Sequence, residues 1–98
     1  MYGYSRNGKF HSFKDLNDCR KAVRMAILRY AKYEEFNIVR YSGKHISNGY
    51  QRGDVLLGTA GMDTEGKNLV RYQPVDSSIS YPIKADGSLC KKGAYEVW

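Results

Sequence analysis

Residues 13–33 contain no glycine or proline, and their apolar residues recur with the period of an α-helix. Ser12, followed three residues later by Asp15, fits a helix N-cap with an acidic partner. The sequence therefore predicts one long amphipathic helix over about residues 13–33, beginning at Ser12. The side expected to pack on the rest of the chain carries Leu16, Cys19, Ala22, Val23, Ala26, Ile27, Tyr30 and Tyr33.

Beyond residue 35 the apolar pattern changes to the two-residue period of β-strands. Asn7-Gly8, between Tyr4 and Phe10, predicts a further hairpin near the start of the chain. Ninety-eight residues favour a single domain over 1–98. We expect an α+β fold in which the helix packs on a mostly antiparallel sheet of about five or six strands. The later strands are predicted at 36–41, 54–60, 69–75, 79–84 and 94–98.

Alternation along two of these strands predicts which side chains the helix covers. Neighbouring residues of a strand point to opposite faces of the sheet. In residues 36–41 we expect Val39 and Tyr41 to face the helix and Arg40 to be exposed. In residues 69–75 the same reasoning places Tyr72 inside and Arg71 on the exposed face.

The net charge of +6 is concentrated in the first third of the chain. Residues 1–32 carry eight basic and two acidic residues, whereas residues 33–98 carry eight of each. A localised positive excess favours polyanionic partners such as nucleic acid or an acidic protein surface. The alternative is a solvated polar face that keeps a small domain soluble.

The polar side of the predicted helix is the first candidate for a partner-binding surface. Met25 and Leu28 fall among its cations, which a purely solvated face does not require. Arg40 and Arg71 on the sheet are further candidates, because arginine beside tyrosine can contact phosphates and bases. The candidate residues are Lys14, Arg20, Lys21, Arg24, Met25, Leu28, Lys32, Arg40 and Arg71.

The segment GMDTEGKN (61–68) is close in spelling to a phosphate-binding loop. Such a loop needs a following helix and a hydroxyl residue after its lysine, but Asn68 lacks the hydroxyl and the next segment is strand-like. The sequence instead predicts a hairpin loop with Asp63, Glu65 and Lys67 exposed.

The sequence contains no pattern for a metal site or for nucleophilic catalysis. The two histidines, His11 and His45, and the two cysteines, Cys19 and Cys90, lack zinc-site spacing. Cys19 is expected in the core, whereas Lys91-Lys92 beside Cys90 would favour a reactive thiolate if that thiol is exposed. We therefore predict a protein that is not an enzyme and uses no cofactor or metal.

Three functional hypotheses follow. The first is a binding protein whose basic helix face contacts nucleic acid or a nucleoprotein complex. The second is a viral protein, an inhibitor or adaptor of phage or mobile-element type, that binds a host protein such as a nuclease. The third, a nucleotide-binding enzyme, depends on residues 61–68 alone. The absence of a signal peptide or apolar span predicts a cytoplasmic protein with no membrane association, and an exposed sheet edge leaves homo-oligomers open.

Overall fold

A computed structural model of the chain describes residues 1–30, 32–41, 54–63 and 69–97. The seven strands form one sheet in the order β2-β1-β3-β4-β5-β6-β7, and every neighbouring pair is antiparallel. The predicted α+β class is confirmed, although the described residues form seven strands rather than five or six. The elements are β1 (Tyr2–Arg6), β2 (Lys9–Phe13), α1 (Leu16–Arg29), β3 (Phe36–Arg40), β4 (Val55–Met62), β5 (Val70–Pro74), β6 (Ile79–Pro82) and β7 (Tyr95–Glu96).

The order of the strands along the chain divides the sheet into two parts, one formed by β2, β1 and β3 and the other by β3 to β7. Strands β2 and β3 both pair antiparallel with β1, so they run parallel to each other, and α1 makes the crossover between them. From β3 to β7 each strand pairs with the next in sequence. Within the described ranges α1 packs on one face of the sheet, and no helix covers the other, which we call the open face.

The N-terminal hairpin forms where the sequence predicts it. Asn7 and Gly8 adopt positive φ angles of 51° and 75°, which is the geometry of the two-residue turns that suit the twist of antiparallel strands. The register pairs Arg6 with Lys9 and Tyr2 with Phe13.

The helix is shorter than predicted at both ends. Its N-cap is Asp15, whose carboxylate accepts a hydrogen bond of 2.8 Å from the backbone N–H of Asn17. The prediction of Ser12 as the cap is wrong, because Ser12 belongs to β2 and pairs with Gly3. At the other end Tyr30 is the C-cap, so Tyr30 and Tyr33 lie at or beyond the end of the helix and are exposed rather than packed.

The hydrophobic core lies between α1 and the sheet. Cys19, Val23 and Ile27 from the helix are fully buried, as is Ile38 from β3. The aromatic rings of Tyr4, Phe36 and Tyr72 complete the same cluster. Burying one large aliphatic side chain contributes about 1.5–3 kcal/mol, so this layer holds the helix against the sheet.

Strand β3 presents the opposite face from the one predicted. Phe36 and Ile38 contact the helix-side core, whereas Val39 and Tyr41 are buried on the open face. There the Phe10 ring meets Tyr41 edge-on, with centroids 5.2 Å apart. The register between β3 and β4 shifts at Ile38/Val39, so alternation alone does not describe this pair.

Candidate functional site

The outer surface of α1 brings several of the predicted site residues together. Lys21, Arg24, Met25 and Leu28 follow the i, i+3, i+4, i+7 spacing, so they are neighbours on one side of the helix. Met25 and Leu28 are half-buried, and Leu28 packs partly against the core. Arg29 is exposed next to them. We define the basic helix surface as Lys14, Lys21, Arg24, Met25, Leu28, Arg29 and Lys32.

The cations of the basic helix surface are not neutralised by neighbours. Within the described parts of the chain, none of its five cations forms an ion pair at 4.0 Å or less. The sequence places no acidic residue between Asp18 and Glu34. Asp18 lies one turn before Lys21 on the same side of α1, so the positive excess is greatest beyond it, from Lys21 to Lys32.

Arg20 does not belong to this surface, contrary to the prediction. Its Nε donates to the backbone carbonyl of Gly87 at 2.9 Å, and Nη2 donates to the side chain of Asn17. Its guanidinium also lies 5.4 Å from the centre of the Tyr72 ring. Arg20 therefore joins the first turns of the helix to the turn that carries Gly87.

The two arginines predicted on the sheet have different surroundings. Arg40 is exposed at the end of β3, as expected, and belongs to a different element from the helix cations. Val70 and Tyr72 pack on the helix side, as predicted, which places Arg71 on the open face. However, Arg71 is only 8% exposed, so the expectation of an exposed Arg71 is wrong.

Partners from β6 and the segment before β7 cover Arg71. Nε donates to Oγ of Ser80 at 2.9 Å, and Nη2 donates to the carbonyls of Ser80 and Gly93 at 2.8 and 2.7 Å. Nη1 lies 3.9 Å from a carboxylate oxygen of Asp63, which is itself buried rather than exposed as predicted. This network fixes Arg71 within the protein, so we exclude it from the surface that meets a partner.

The phosphate-loop alternative lacks its structural requirement. Strands β4 and β5 pair antiparallel, with Met62 opposite Val70, so a strand stands where a phosphate loop needs a helix. The predicted hairpin between these strands is confirmed. Glu65 and Lys67 lie outside the described residues.

The thiols and potential metal ligands of the described residues form no metal-binding group. Cys19 is fully buried, and burial raises the pKa of its thiol to about 12. Cys90 is half-buried. In the described ranges no three His, Cys, Asp or Glu side chains are grouped closely enough to hold a metal ion, and His45 lies outside those ranges.

A cavity of about 440 Å³ opens where β1 and β3 diverge. Pairing between these strands ends at Gly3 and Val39, and the space beyond it is the β1–β3 cleft. Its volume falls within the range of small-molecule sites. The cleft is lined by Tyr4, Arg6, Phe10, Glu34, Glu35 and Phe36, among others.

Charges of both signs line the β1–β3 cleft without pairing. No ion pair joins Arg6 to Glu34 or Glu35 among the described residues. The Nε of Arg6 is buried without a hydrogen-bond acceptor, while its guanidinium lies 4.8 Å from the centre of the Tyr30 ring. An unsatisfied buried donor destabilises a protein by about 1–3 kcal/mol.

A second, shallower cavity of about 320 Å³ lies on the open face. Arg71 contributes its positive charge, while Asp63 and Glu35 contribute two negative charges. Glu35 lines both cavities and lies against Gly61. Because negative charges outnumber positive ones in this cavity, it disfavours binding of phosphate. The open face therefore differs electrostatically from the outer side of the helix.

Sequence reasoning missed several residues of both candidate sites. Arg29 was visible as a cation within the helical segment, but the predicted polar side did not include it. Arg6, Glu34 and Glu35 gave no local signal, because only the divergence of β1 from β3 places them around one cavity.

No helix in the described ranges is both long and apolar enough to cross a bilayer. Comparisons of the chain with protein-family models, with curated proteins and with solved structures found no match.

Proposed function

We propose that the protein is a non-enzymatic nucleic-acid-binding protein whose basic helix surface contacts the phosphate backbone. The observation that carries this proposal is the row of unpaired cations along the outer side of α1. Because the backbone is a regular polyanion, such a surface gains affinity by releasing condensed counterions.

The dimensions of the helix are compatible with this role. Its 14 residues span about 21 Å. Duplex DNA carries one phosphate charge for every ~1.7 Å of its axis, so several phosphates lie along that length. Five cations that each neutralise one phosphate would give a slope of about −4.5 for log affinity against log salt. Binding through phosphates alone carries little sequence preference.

A protein partner with an acidic groove is the competing proposal. Met25 and Leu28 favour it, because half-buried apolar residues among cations can act as anchors in a protein interface. Such a partner would fit an inhibitor or adaptor that acts on a host protein. It predicts that replacing Met25 and Leu28 by alanine weakens binding more than neutralising Lys21 and Arg29 does.

A salt titration with matched variants tests the nucleic-acid proposal. Affinity for duplex DNA and for single-stranded RNA is measured by fluorescence anisotropy over a range of salt concentrations. Lys21→Gln with Arg29→Gln should weaken binding and reduce the salt slope by about 2. The control pair, Lys91→Gln with Lys92→Gln, removes the same charge from exposed positions near β7 and should leave the slope unchanged.

Two results would contradict the proposal. One is undetectable binding to both nucleic acids at low salt. The other is an equal loss of affinity in both variant pairs, which would mean that net charge rather than the helix surface is responsible.

A further inference from the structure

The β1–β3 cleft combines three features that point to a ligand. It has the volume of a small-molecule site, about 440 Å³. Aromatic side chains form part of its wall, among them Phe10 and Phe36. A guanidinium and two carboxylates line it without neutralising one another.

The cleft exists because two neighbouring strands separate. Beyond the pair formed by Gly3 and Val39, β1 continues alongside β2 and β3 continues alongside β4. The open angle between them is bounded by Arg6 at the end of β1 and by Glu34 and Glu35 before β3. The positive group at the end of β1 and the negative groups before β3 therefore lie at different walls of one cavity.

Arg6 provides the evidence that a ligand of the cleft carries a negatively charged group. Its Nε is buried and donates to no acceptor in the described structure. Arginine binds a carboxylate best through two parallel N–H groups, and the two terminal nitrogens of Arg6 are such a pair. Because Nε itself is buried, a ligand carboxylate in the cleft would bind the guanidinium through these terminal nitrogens.

Glu34 and Glu35 provide the evidence that the same ligand also carries a positively charged group. Both are exposed carboxylates that line the same cavity, and neither has an ion-pair partner among the described residues. A ligand that carried only a carboxylate would meet these two negative charges as well as Arg6. A ligand that also carries an ammonium group turns that repulsion into attraction.

We propose that the β1–β3 cleft binds a small zwitterion of the amino-acid class, with its carboxylate on Arg6, its ammonium group on Glu34 and Glu35, and an apolar side chain against Phe10. The aromatic wall favours an apolar or aromatic side chain over glycine. This inference does not rest on the proposed nucleic-acid binding, because none of these residues belongs to the basic helix surface.

The test is a titration followed by ¹H–¹⁵N NMR, with L-phenylalanine as the probe. L-phenylalanine should give saturable shifts of the amides that line the cleft. Phenylacetate lacks the ammonium group, phenethylamine lacks the carboxylate and glycine lacks the ring. Each should bind at least about tenfold more weakly, since each omits one of the three contacts.

Variants of the protein test which residues contact the bound L-phenylalanine. Arg6→Met and Glu35→Gln should each weaken L-phenylalanine binding at least about tenfold. Lys92→Met removes an exposed cation outside the cleft and should leave binding unchanged. Glu35 is exposed, so Glu35→Gln keeps the test valid even if Arg6→Met fails to fold.

The proposal is overturned if millimolar L-phenylalanine leaves the cleft amides unshifted, or if either half-ligand binds as tightly as L-phenylalanine. Unchanged affinity in Glu35→Gln would equally overturn it. Loss of nucleic-acid binding in the Lys21 and Arg29 variants has no bearing on these outcomes, so the two proposals fail independently.

Discussion

The guanidinium carbon of Arg71 lies 4.0 Å from the centre of the Tyr95 ring, and this contact joins β5 to β7 across the intervening strand β6. Arg71 also donates to the carbonyl of Gly93, just before β7. Because β7 has only two residues and pairs with β6 alone, the arginine supplies much of what holds this end of the sheet together.

Removing Arg71 should therefore be severely destabilising. Arg71→Met removes the ion pair with the buried Asp63 and three hydrogen bonds. We expect a loss of about 3 kcal/mol in the free energy of unfolding, measured by urea denaturation. The exposed Arg29→Met should change that free energy by less than about 0.5 kcal/mol.

A double variant separates the charge effect from the lost packing. If loss of the ion pair with Asp63 dominates, Asp63→Asn should recover part of the stability lost in Arg71→Met. If stability is not recovered, the loss in Arg71→Met is due to the missing hydrogen bonds and the missing stacking on Tyr95.

Arg20 and Lys21 are adjacent in sequence but have different roles. Arg20→Met should lower the free energy of unfolding by about 1–2 kcal/mol, because Arg20 donates to the Gly87 carbonyl and lies over the Tyr72 ring. Lys21→Met should change it by less than about 0.5 kcal/mol, since Lys21 is exposed. Thermal melts of the two variants compare them directly, and equal losses would contradict a structural role specific to Arg20.

Gly58 and Gly61 lie in the same strand and should differ in their tolerance of alanine. A Cβ at Gly58 would overlap the ring of Tyr72 and would lie 2.7 Å from the carbonyl oxygen of Gln73. Gly58→Ala should therefore cost about 1–3 kcal/mol. At Gly61 the nearest atom is a side-chain carbon of Glu35 at 3.2 Å, which can move, so Gly61→Ala should be much milder. Denaturation midpoints of the two variants provide the measurement.

The buried thiol of Cys19 makes stability sensitive to alkaline pH. Burial raises its pKa from 9.0 to about 12, so the folded state keeps the proton that the unfolded state loses. This contribution is complete below about pH 9 and is lost as the pH rises toward 12. The free energy of unfolding should therefore fall as the pH rises from about 9 toward 12, and Cys19→Ala should show a smaller fall over the same range. An identical pH dependence of the free energy of unfolding in the unmodified protein and in Cys19→Ala would contradict this prediction.

The sequence predicted the helix and the alternating strands because both signals are local. It placed the helix start wrongly because Ser12 and Asp15 are both acceptable caps, and pairing of Ser12 with Gly3 decides between them. The face of β3 was also wrong. Phe36 and Ile38 alternate with Val39 and Tyr41, so both faces of this strand are apolar, and only the neighbouring strands show which one the helix covers.

Most of the basic helix surface was predictable because it depends on spacing within one helix. Arg71 and Arg20 were misassigned because their hydrogen-bond partners, Ser80, Gly93 and Gly87, are distant in sequence. The β1–β3 cleft was beyond sequence reasoning altogether, since it arises from a pairing that stops after two residue pairs.

That interrupted pairing also bears on how the chain folds. Tyr2 pairs with Arg40 only after the chain has closed a long loop through the helix, whereas β5 and β6 are joined by a short local turn. We therefore expect the strands from β3 onward to assemble first and the N-terminal hairpin to dock last. The β1–β3 cleft lies between the N-terminal hairpin and the strands that begin with β3. A ligand bound there would contact both of them and should slow their separation during unfolding.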